Sequence, residues 1–258
     1  MQTAHLIYFS PTGTTRKVAE AIAQGFGADK VRHYDVTLPG AKFDTVLTDG
    51  MAIIGIPVYA GRVPELCLQR LQAITATHIP AVLVALYGNR EFDDALIELR
   101  DLSVAKGFDV IAAGAFIGEH SFSTATHPIA AGRPDTADLK LAVQFGKQVA
   151  AKLAGGPVDT PDMEGHVPYK ERPKLGGKAP ETDAEQCILC GKCAEVCPAG
   201  TIAIDLSVTT NAEHCIMCCA CVKACEVHAR HFSHPRIEEK RVILQKNCCK
   251  PKTPAIFI

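Results

Sequence analysis

No charge of either sign dominates this chain, in which 27 Lys and Arg stand against 28 Asp and Glu over 258 residues, a formal net charge of -1. A balance so near zero gives no electrostatic basis for a nucleic-acid partner or an anionic membrane surface. Long apolar runs are missing, so no membrane span is expected. Met1 leads almost directly into a strand-like segment, without the basic and apolar regions of a secretory leader. Only Cys67 of the 12 cysteines precedes position 187. With no leader, a disulfide framework is disfavoured, and a reduced, cytoplasmic set of thiols is expected. Also missing are a Gly-x-x-x-x-Gly-Lys-[Ser/Thr] phosphate loop, a Gly-x-Gly-x-x-Gly turn and any nucleophile–base pair. Hydrolase and nicotinamide-dehydrogenase readings therefore lack support.

What the chain has is thiols in a pattern. Cys187, Cys190, Cys193 and Cys197, followed by Pro198, make one C-x2-C-x2-C-x3-C run, and Cys215, Cys218, Cys221 and Cys225 repeat it. Doubled runs of this spacing hold two [4Fe–4S] clusters, because three close cysteines wrap one face of a cube and the fourth ligand comes from the other run. The expected sets are Cys187, Cys190, Cys193 and Cys225 for one cluster, and Cys215, Cys218, Cys221 and Cys197 for the other. Zinc ribbons use two C-x2-C pairs on a longer spacer and stop at four ligands. Cys219, an extra thiol inside the second run, reads as a packed side chain.

The first part of the chain alternates short apolar runs with helix-like stretches. Strands are expected at 5–10, 31–36, 50–58, 81–87 and 109–117, and helices at 14–24, 64–74, 91–106 and 138–153. Such alternation implies βαβ units and a parallel sheet covered on both faces. One short helix is allowed within 38–48. Ser10-Pro-Thr-Gly-Thr-Thr15 follows the first strand and opens a helix. The hydroxyls of Ser10, Thr12, Thr14 and Thr15, with Gly13 at the turn, suit a phosphomonoester at a helix N-terminus; the competing reading is an ordinary capped turn. Pro57-Val-Tyr-Ala-Gly-Arg62 and Tyr87-Gly-Asn-Arg90 end the third and fourth strands, where open α/β sheets bind ligands. Val58, Ala60, Gly61 and Gly88 would bring main chain close to a flat ring that Tyr59 or Tyr87 stacks on. Arg62, Asn89 and Arg90 either set the charge at the edge of that ring or face water. One phosphate and one flat ring make a flavin mononucleotide (FMN) site. Glu119, His120 and the run 121–126 after the fifth strand are further candidates for its open face.

At these residues the chain resembles the flavodoxins: Leu6-Ile-Tyr-Phe-Ser-Pro-Thr-Gly-Thr-Thr15 with Ala19 and Ile22 matches their N-terminal signature. The later loops, His127-Pro-Ile-Ala-Ala-Gly-Arg-Pro-Asp135 and the ending Pro254-Ala-Ile-Phe-Ile258 resemble fused flavodoxin–ferredoxin proteins of anaerobic prokaryotes, the EFR family. The resemblance covers nearly the whole chain. It implies an α/β, flavodoxin-like five-stranded parallel sheet in the order 2-1-3-4-5 carrying FMN, with a small ferredoxin-like α+β domain. The divisions expected are 1–154 for the FMN domain, 155–180 for a Gly/Pro/Lys-rich linker, 181–234 for the 2[4Fe–4S] domain and 235–258 for a C-terminal tail. The chain departs from the patterns it resembles in its near-neutral charge, where flavodoxins are acidic, and in Glu226, where ferredoxins carry Pro after the last cysteine.

Other residues carry weaker signals. Cys248 and Cys249 read as packing, His228, His231 and His234 as a metal tract or surface residues, and Tyr169, Lys170, Arg172 and Lys174 as a solvated stretch or an interface. The expected function is electron transfer between the clusters and FMN, serving a redox partner protein or a small-molecule electron acceptor. The alternatives are an FMN-dependent reductase fed by the clusters, and a redox-sensing interaction module.

Overall fold

A computed structural model describes residues 3–41, 43–156, 158–173 and 176–258; Lys174 lies outside them. Six elements are strands of one sheet: β1 (Thr3–Tyr8), β2 (Lys30–Asp35), β4 (Met51–Pro57), β6 (Ile79–Tyr87), β7 (Phe108–Ile117) and, at the far end of the chain, β12 (Ala255–Phe257). Short β3 (Thr45–Leu47) and β5 (Ile74–Ala76) pair with each other beside it. Helices α1 (Thr14–Phe26), α2 (Glu65–Leu71), α3 (Ala95–Ala105) and α4 (Thr136–Ala154) cross over between strands. The sheet runs β2-β1-β4-β6-β7-β12. Its first five strands are parallel, in the flavodoxin-like order, and β12 adds antiparallel to β7.

Every residue of β1 is buried, as expected for a central parallel strand covered on both faces. Two apolar layers result. Ile7, Phe9, Ile54, Leu83 and Leu99 belong to the layer under α2 and α3. Leu6, Ile22, Ile53, Phe116 and Phe145 belong to the layer under α1 and α4. Those two helices touch through glycine: a Cβ at Gly25 would lie 1.9 Å from the Val143 carbonyl oxygen, and one at Gly146 would lie 2.1 Å from that of Ile22. No described helix is long and apolar enough to cross a membrane.

The short helix allowed within 38–48 does not form among the described residues; Thr45–Leu47 is a strand instead, and Gly40 takes φ 102. Its partner β5 also cuts α2 short of the expected Ile74. Local periodicity could not show either, because each strand depends on the other. Helix α3 starts at Ala95 rather than 91, since Phe92 is drawn under Tyr87 and Asp93 takes φ 44.

The cysteine-rich part is built on β8 (Glu181–Thr182), α5 (Lys192–Glu195), β9 (Ile202–Ile204), β10 (Val208–Thr210), α6 (Ala220–Lys223) and β11 (Arg230–His231). β8 pairs with β11, and β9 with β10, both antiparallel. Positive φ recurs at matching places in the two runs, at Leu189 and Met217, Gly191 and Cys219, Gly200 and His228. The segment 235–258 is not a free tail. It forms helix α7 (Pro235–Asn247), N-capped by the His234 imidazole, and then supplies β12.

The stretch before β8 is fastened to α3. Glu98 receives Arg62 at 2.8 Å and Arg172 at 2.5 Å. Asp94 accepts the main-chain N–H groups of His166 at 2.9 Å and Lys170 at 2.7 Å, and the Arg62 guanidinium lies 4.7 Å from the centre of the Tyr169 ring. Removing the carboxylate leaves two shielded cations unpaired. Glu98→Ala is therefore expected to lower stability by about 3 kcal/mol in urea denaturation and to expose 158–173 to limited proteolysis.

Candidate functional site

The loop after β1 leaves helix donors open. Gly13, at φ 77, takes the N-cap position of α1, where it can offer no side-chain cap, and the first turn has no acidic residue. Ser10 Oγ accepts the Arg16 N–H at 3.1 Å, while the Ser10 N–H is held by Thr37 Oγ1 at 2.8 Å. The hydroxyls of Thr12 and Thr14 lie 3.2 Å apart. Buried Thr15 presses on Gly55, where a Cβ would lie 2.9 Å from its methyl group. Uncapped N–H groups, clustered hydroxyls and the positive end of a helix dipole form an anion cradle.

This cradle opens into a cavity of about 330 Å³ at the carboxyl end of the sheet. Of the residues expected to hold a cofactor, Thr12, Thr14, Thr15, Pro57, Val58, Tyr59, Ala60, Tyr87, Gly88 and Arg90 border it. Five do not, and each has another task. Ser10 and Gly13 shape the cradle from behind. The Gly61 carbonyl accepts the Asp94 N–H at 3.1 Å, and a Cβ there would strike Asp93. Arg62 is turned to Glu98 and to the Lys170 carbonyl, 2.5 Å away. Asn89 anchors the chain after α7, donating to the Cys248 and Lys250 carbonyls at 2.7 and 2.9 Å and accepting the Lys252 N–H at 3.0 Å. Arg62 and Asn89 thus correct the sequence reading: their polar groups are consumed by segments distant in sequence.

Sequence reasoning missed the opposite wall. Ile216 and Met217 from the second cysteine run, and Lys240, Ile243 and Leu244 from α7, complete the cavity. Glu119, His120, Ser121 and Phe122 also line it. His120 Nδ1 accepts the Phe122 N–H at 3.0 Å, which assigns the ring proton to Nε2. Burial, helped by the charges of Lys223 and Arg90, lowers its pKa to about 4, so the ring is neutral at pH 7. Only glycine at position 88 leaves room for it, since a Cβ there would lie 2.4 Å from the imidazole. Burial pushes Tyr87 up to about 12, and Tyr59, whose hydroxyl meets Ser121, is raised by burial and then by the Cys218 and Cys219 thiols.

The cysteines fall into two groups. Cys187, Cys190, Cys193 and Cys225 border one small cavity. Cys197, Cys215, Cys218 and Cys221 border another, which the fifth thiol of that region, Cys219, also lines. Cys219 apart, each group takes three thiols from one run and one from the other. Among the described residues no three His, Cys, Asp or Glu side chains meet at a point that a single metal ion would fill; the thiols are spread over cavity walls. Burial raises Cys193, Cys215, Cys218 and Cys221, so these groups need a bound cation to stand as thiolates. Main-chain N–H groups already point at sulfur, from Thr201 to Cys197 and from Met217 to Cys215, both at 3.4 Å. Arg230 donates to Cys221 Sγ at 3.6 Å, and its own Nε is a buried donor without an acceptor. A cationic core would ionise these thiols, and the N–H donors aimed at sulfur, with the unpaired Arg230 Nε, suit the negative charge that the thiolates would then carry.

Cys219 is 3% exposed and packs with Phe232 and Ile237 against Phe122. Cys248 is buried at the end of α7, and Cys249 is exposed. His228, His231 and His234 gather no shared site among the described residues.

A family model described as "4Fe-4S dicluster domain" matches residues 179–226. Similar solved structures include a flavodoxin from the domain Archaea, at 16% identity and TM-score 0.37 over 59% of this chain and 99% of that one. A Fusobacterium nucleatum flavodoxin bound to flavin mononucleotide is similar at 18% identity and TM-score 0.40, over 60% of this chain and 98% of that one. The rubredoxin oxygen:oxidoreductase of the anaerobe Desulfovibrio gigas is similar at 15% identity and TM-score 0.39, over 60% of this chain and 37% of that one. No curated protein matches. The strand order of the parallel sheet is by itself flavodoxin-like, and residues 179–226 are similar to a 4Fe-4S dicluster domain.

Cys219→Ser should leave bound iron and sulfide unchanged, since Cys215, Cys218 and Cys221 already supply the C-x2-C-x2-C spacing and Cys219, although it lines the same cavity, packs with Phe232 and Ile237; a substantial loss of iron would place Cys219 among the ligands. For His120 the unfolded ring titrates near 6.5 and the folded one near 4. The unfolded chain then takes the proton first, and stability drains away as pH falls from about 6.5 towards 4. Denaturation at pH 7 and pH 5 should show a smaller acid loss in His120→Gln than in wild type.

Proposed function

We propose that this chain is an iron–sulfur flavoprotein that passes electrons between two [4Fe–4S] clusters and one FMN. When bound, FMN exchanges one or two electrons and each cluster exchanges one. Everything else is the work of the chain. Thr12, Thr14, Thr15 and the N-terminus of α1 would hold the phosphate. The loops at Pro57–Ala60 and Tyr87–Arg90 would hold the ring, with Ile243 and Leu244 of α7 excluding water from above. Cys187, Cys190, Cys193 and Cys225 would hold one cluster, and Cys197, Cys215, Cys218 and Cys221 the other.

One observation carries this reading: Ile216 borders both the large cavity and the Cys197/Cys215/Cys218/Cys221 cavity. A single side chain between two cofactor sites is a short path for an electron. The second group of thiols is therefore the inner cluster site, and the first, whose Cys190 is exposed, is the outer one. Electrons would enter or leave at the outer site through a redox partner.

The arrangement is held fixed from several directions. Lys223 of α6 meets Glu119 at 2.6 Å, and Arg70 of α2 donates to the Pro198 carbonyl at 2.6 Å. Arg241 of α7 donates to the carbonyls of Phe122 at 2.9 Å and Phe232 at 2.8 Å, whose rings meet edge to face at 6.0 Å. Covalent linkage and docking together remove the diffusional encounter that separate carriers need.

A second reading, reduction of a small molecule at the flavin, is favoured by one feature: the neutral His120 ring, with its proton on Nε2, stands on the cavity wall as a ready donor. His120→Ala abolishing turnover with an acceptor while leaving electron exchange between clusters and flavin intact would select it.

Anaerobically reconstituted protein is expected to carry two [4Fe–4S] clusters and one FMN by iron, sulfide and flavin analysis, and zinc matching the cysteines would refute the proposal. Thr12→Ala with Thr15→Ala should weaken FMN binding on the order of 100-fold, the scale of two lost hydrogen bonds to a charged group. Iron content should not change in that variant.

A further inference from the structure

Three arginines are buried among the described residues, and two of them hold carboxylates. Arg62 grips Glu98, and Arg241 grips Glu238. Arg230, only 4% exposed, is different. Its guanidinium donates to Thr182 Oγ1 at 2.6 Å, Thr210 Oγ1 at 2.9 Å and Cys221 Sγ at 3.6 Å, and its Nε meets no acceptor. Among the described residues it forms no ion pair to an acid. Two neutral hydroxyls leave the positive charge uncompensated, and a buried unpaired charge is strongly unfavourable unless an anion stands beside it.

The surroundings show where that anion belongs. Arg230 sits on β11, whose partner β8 supplies Thr182. From there it lines the cavity of Cys187, Cys190, Cys193 and Cys225 while reaching Cys221, a member of the other group. It therefore stands between the outer and inner cluster sites and faces both. The planar fork of five N–H donors can serve two acceptor surfaces at once.

We propose that Arg230 is the shared counter-ion of the two clusters and makes both of them easier to reduce. This rests on the two-cluster reading above. A [4Fe–4S] core with four thiolates is already anionic, and accepting one electron from a reductant adds a negative charge. A fixed cation beside it stabilises the reduced form more than the oxidised one. Charge near a cluster and hydrogen bonds to its sulfurs are the means by which a protein sets such potentials. Because one guanidinium faces both sites, its loss must move both equilibria in the same direction.

The test is an EPR-monitored redox titration of anaerobically reconstituted full-length protein, with iron and sulfide measured on each sample. Arg230→Gln removes the charge but keeps an amide donor. It should retain iron and shift the reduction equilibrium of each cluster about tenfold towards the oxidised form, close to 59 mV for a one-electron couple. Arg230→Lys, which restores the charge, should recover most of that shift. Thr182→Val with Thr210→Val, which removes the hydroxyl partners alone, should move the potentials far less than Arg230→Gln. Unchanged potentials in Arg230→Gln would overturn the proposal, and a shift confined to one cluster would overturn the sharing. If Arg230→Gln loses its iron, retention by Arg230→Lys at near wild-type potentials supports the charge role, and equal loss from both variants overturns it in favour of a purely structural one. A wild-type protein that binds no [4Fe–4S] cluster would instead sink the two-cluster reading, so the two failures are distinguishable.

Discussion

The antiparallel pairing of β12 with β7 ties the last residues of the chain to the edge of the sheet. With β12 held there, Asn89 clamps the segment between α7 and β12, and α7 has to lie across the carboxyl ends of the strands. That path returns the chain to the sheet after the cysteine-rich part, so the part is tethered on both sides. On its entry side the ion pairs of Glu98 fasten the preceding segment to α3. Two attachments of this kind limit how far the inner thiol group can move from the large cavity. The pairing of β12 also covers β7, which would otherwise be an exposed edge open to pairing with another chain.

The electrostatics are local. A near-zero net charge hides a set of shielded cations with quite different partners. Arg62, Arg133 and Arg241 stand beside carboxylates and act as structural ties. Arg230 stands beside hydroxyls and sulfur. His120 is held neutral on the cavity wall by burial. A pocket that combines a helix N-terminus for an anion, a neutral imidazole and apolar side chains from α7 is suited to a ring that changes charge without access to bulk water.

Much of this was legible residue by residue. Strand positions followed from apolar runs, because parallel strands buried on both faces need continuous Val, Ile, Leu and Ala. The Ser10–Thr15 turn was legible because its hydroxyls and open N–H groups lie in adjacent residues. That thiols of the two runs would mix was legible in the doubled C-x2-C-x2-C-x3-C spacing, and Cys225 and Cys197 do each line a cavity with the other run. Misreadings occurred where a residue's partner is distant in sequence. Arg62 and Asn89 were read as setting the charge at a ring edge or as facing water, since they sit in loops at the carboxyl ends of strands, yet Glu98 and the chain after α7 claim them. β3 and β5 were invisible because each is three residues long and exists only as half of a pair.

Local spacing alone sets two arrangements: doubled cysteine runs whose thiols gather at two small cavities, and a Thr-rich turn that leaves the N–H groups of α1 open. Which thiol group faces the large cavity was decided only by the tertiary structure. The two runs are near repeats, and nothing in their spacing distinguishes inner from outer. What distinguishes them is the packing of Ile216 and Met217 against the carboxyl edge of the sheet under α7, while Cys190 stays exposed. Arg230 belongs to the same class. Its charge is written in the sequence, but its standing between two thiol groups without a carboxylate is a property of three-dimensional neighbours alone.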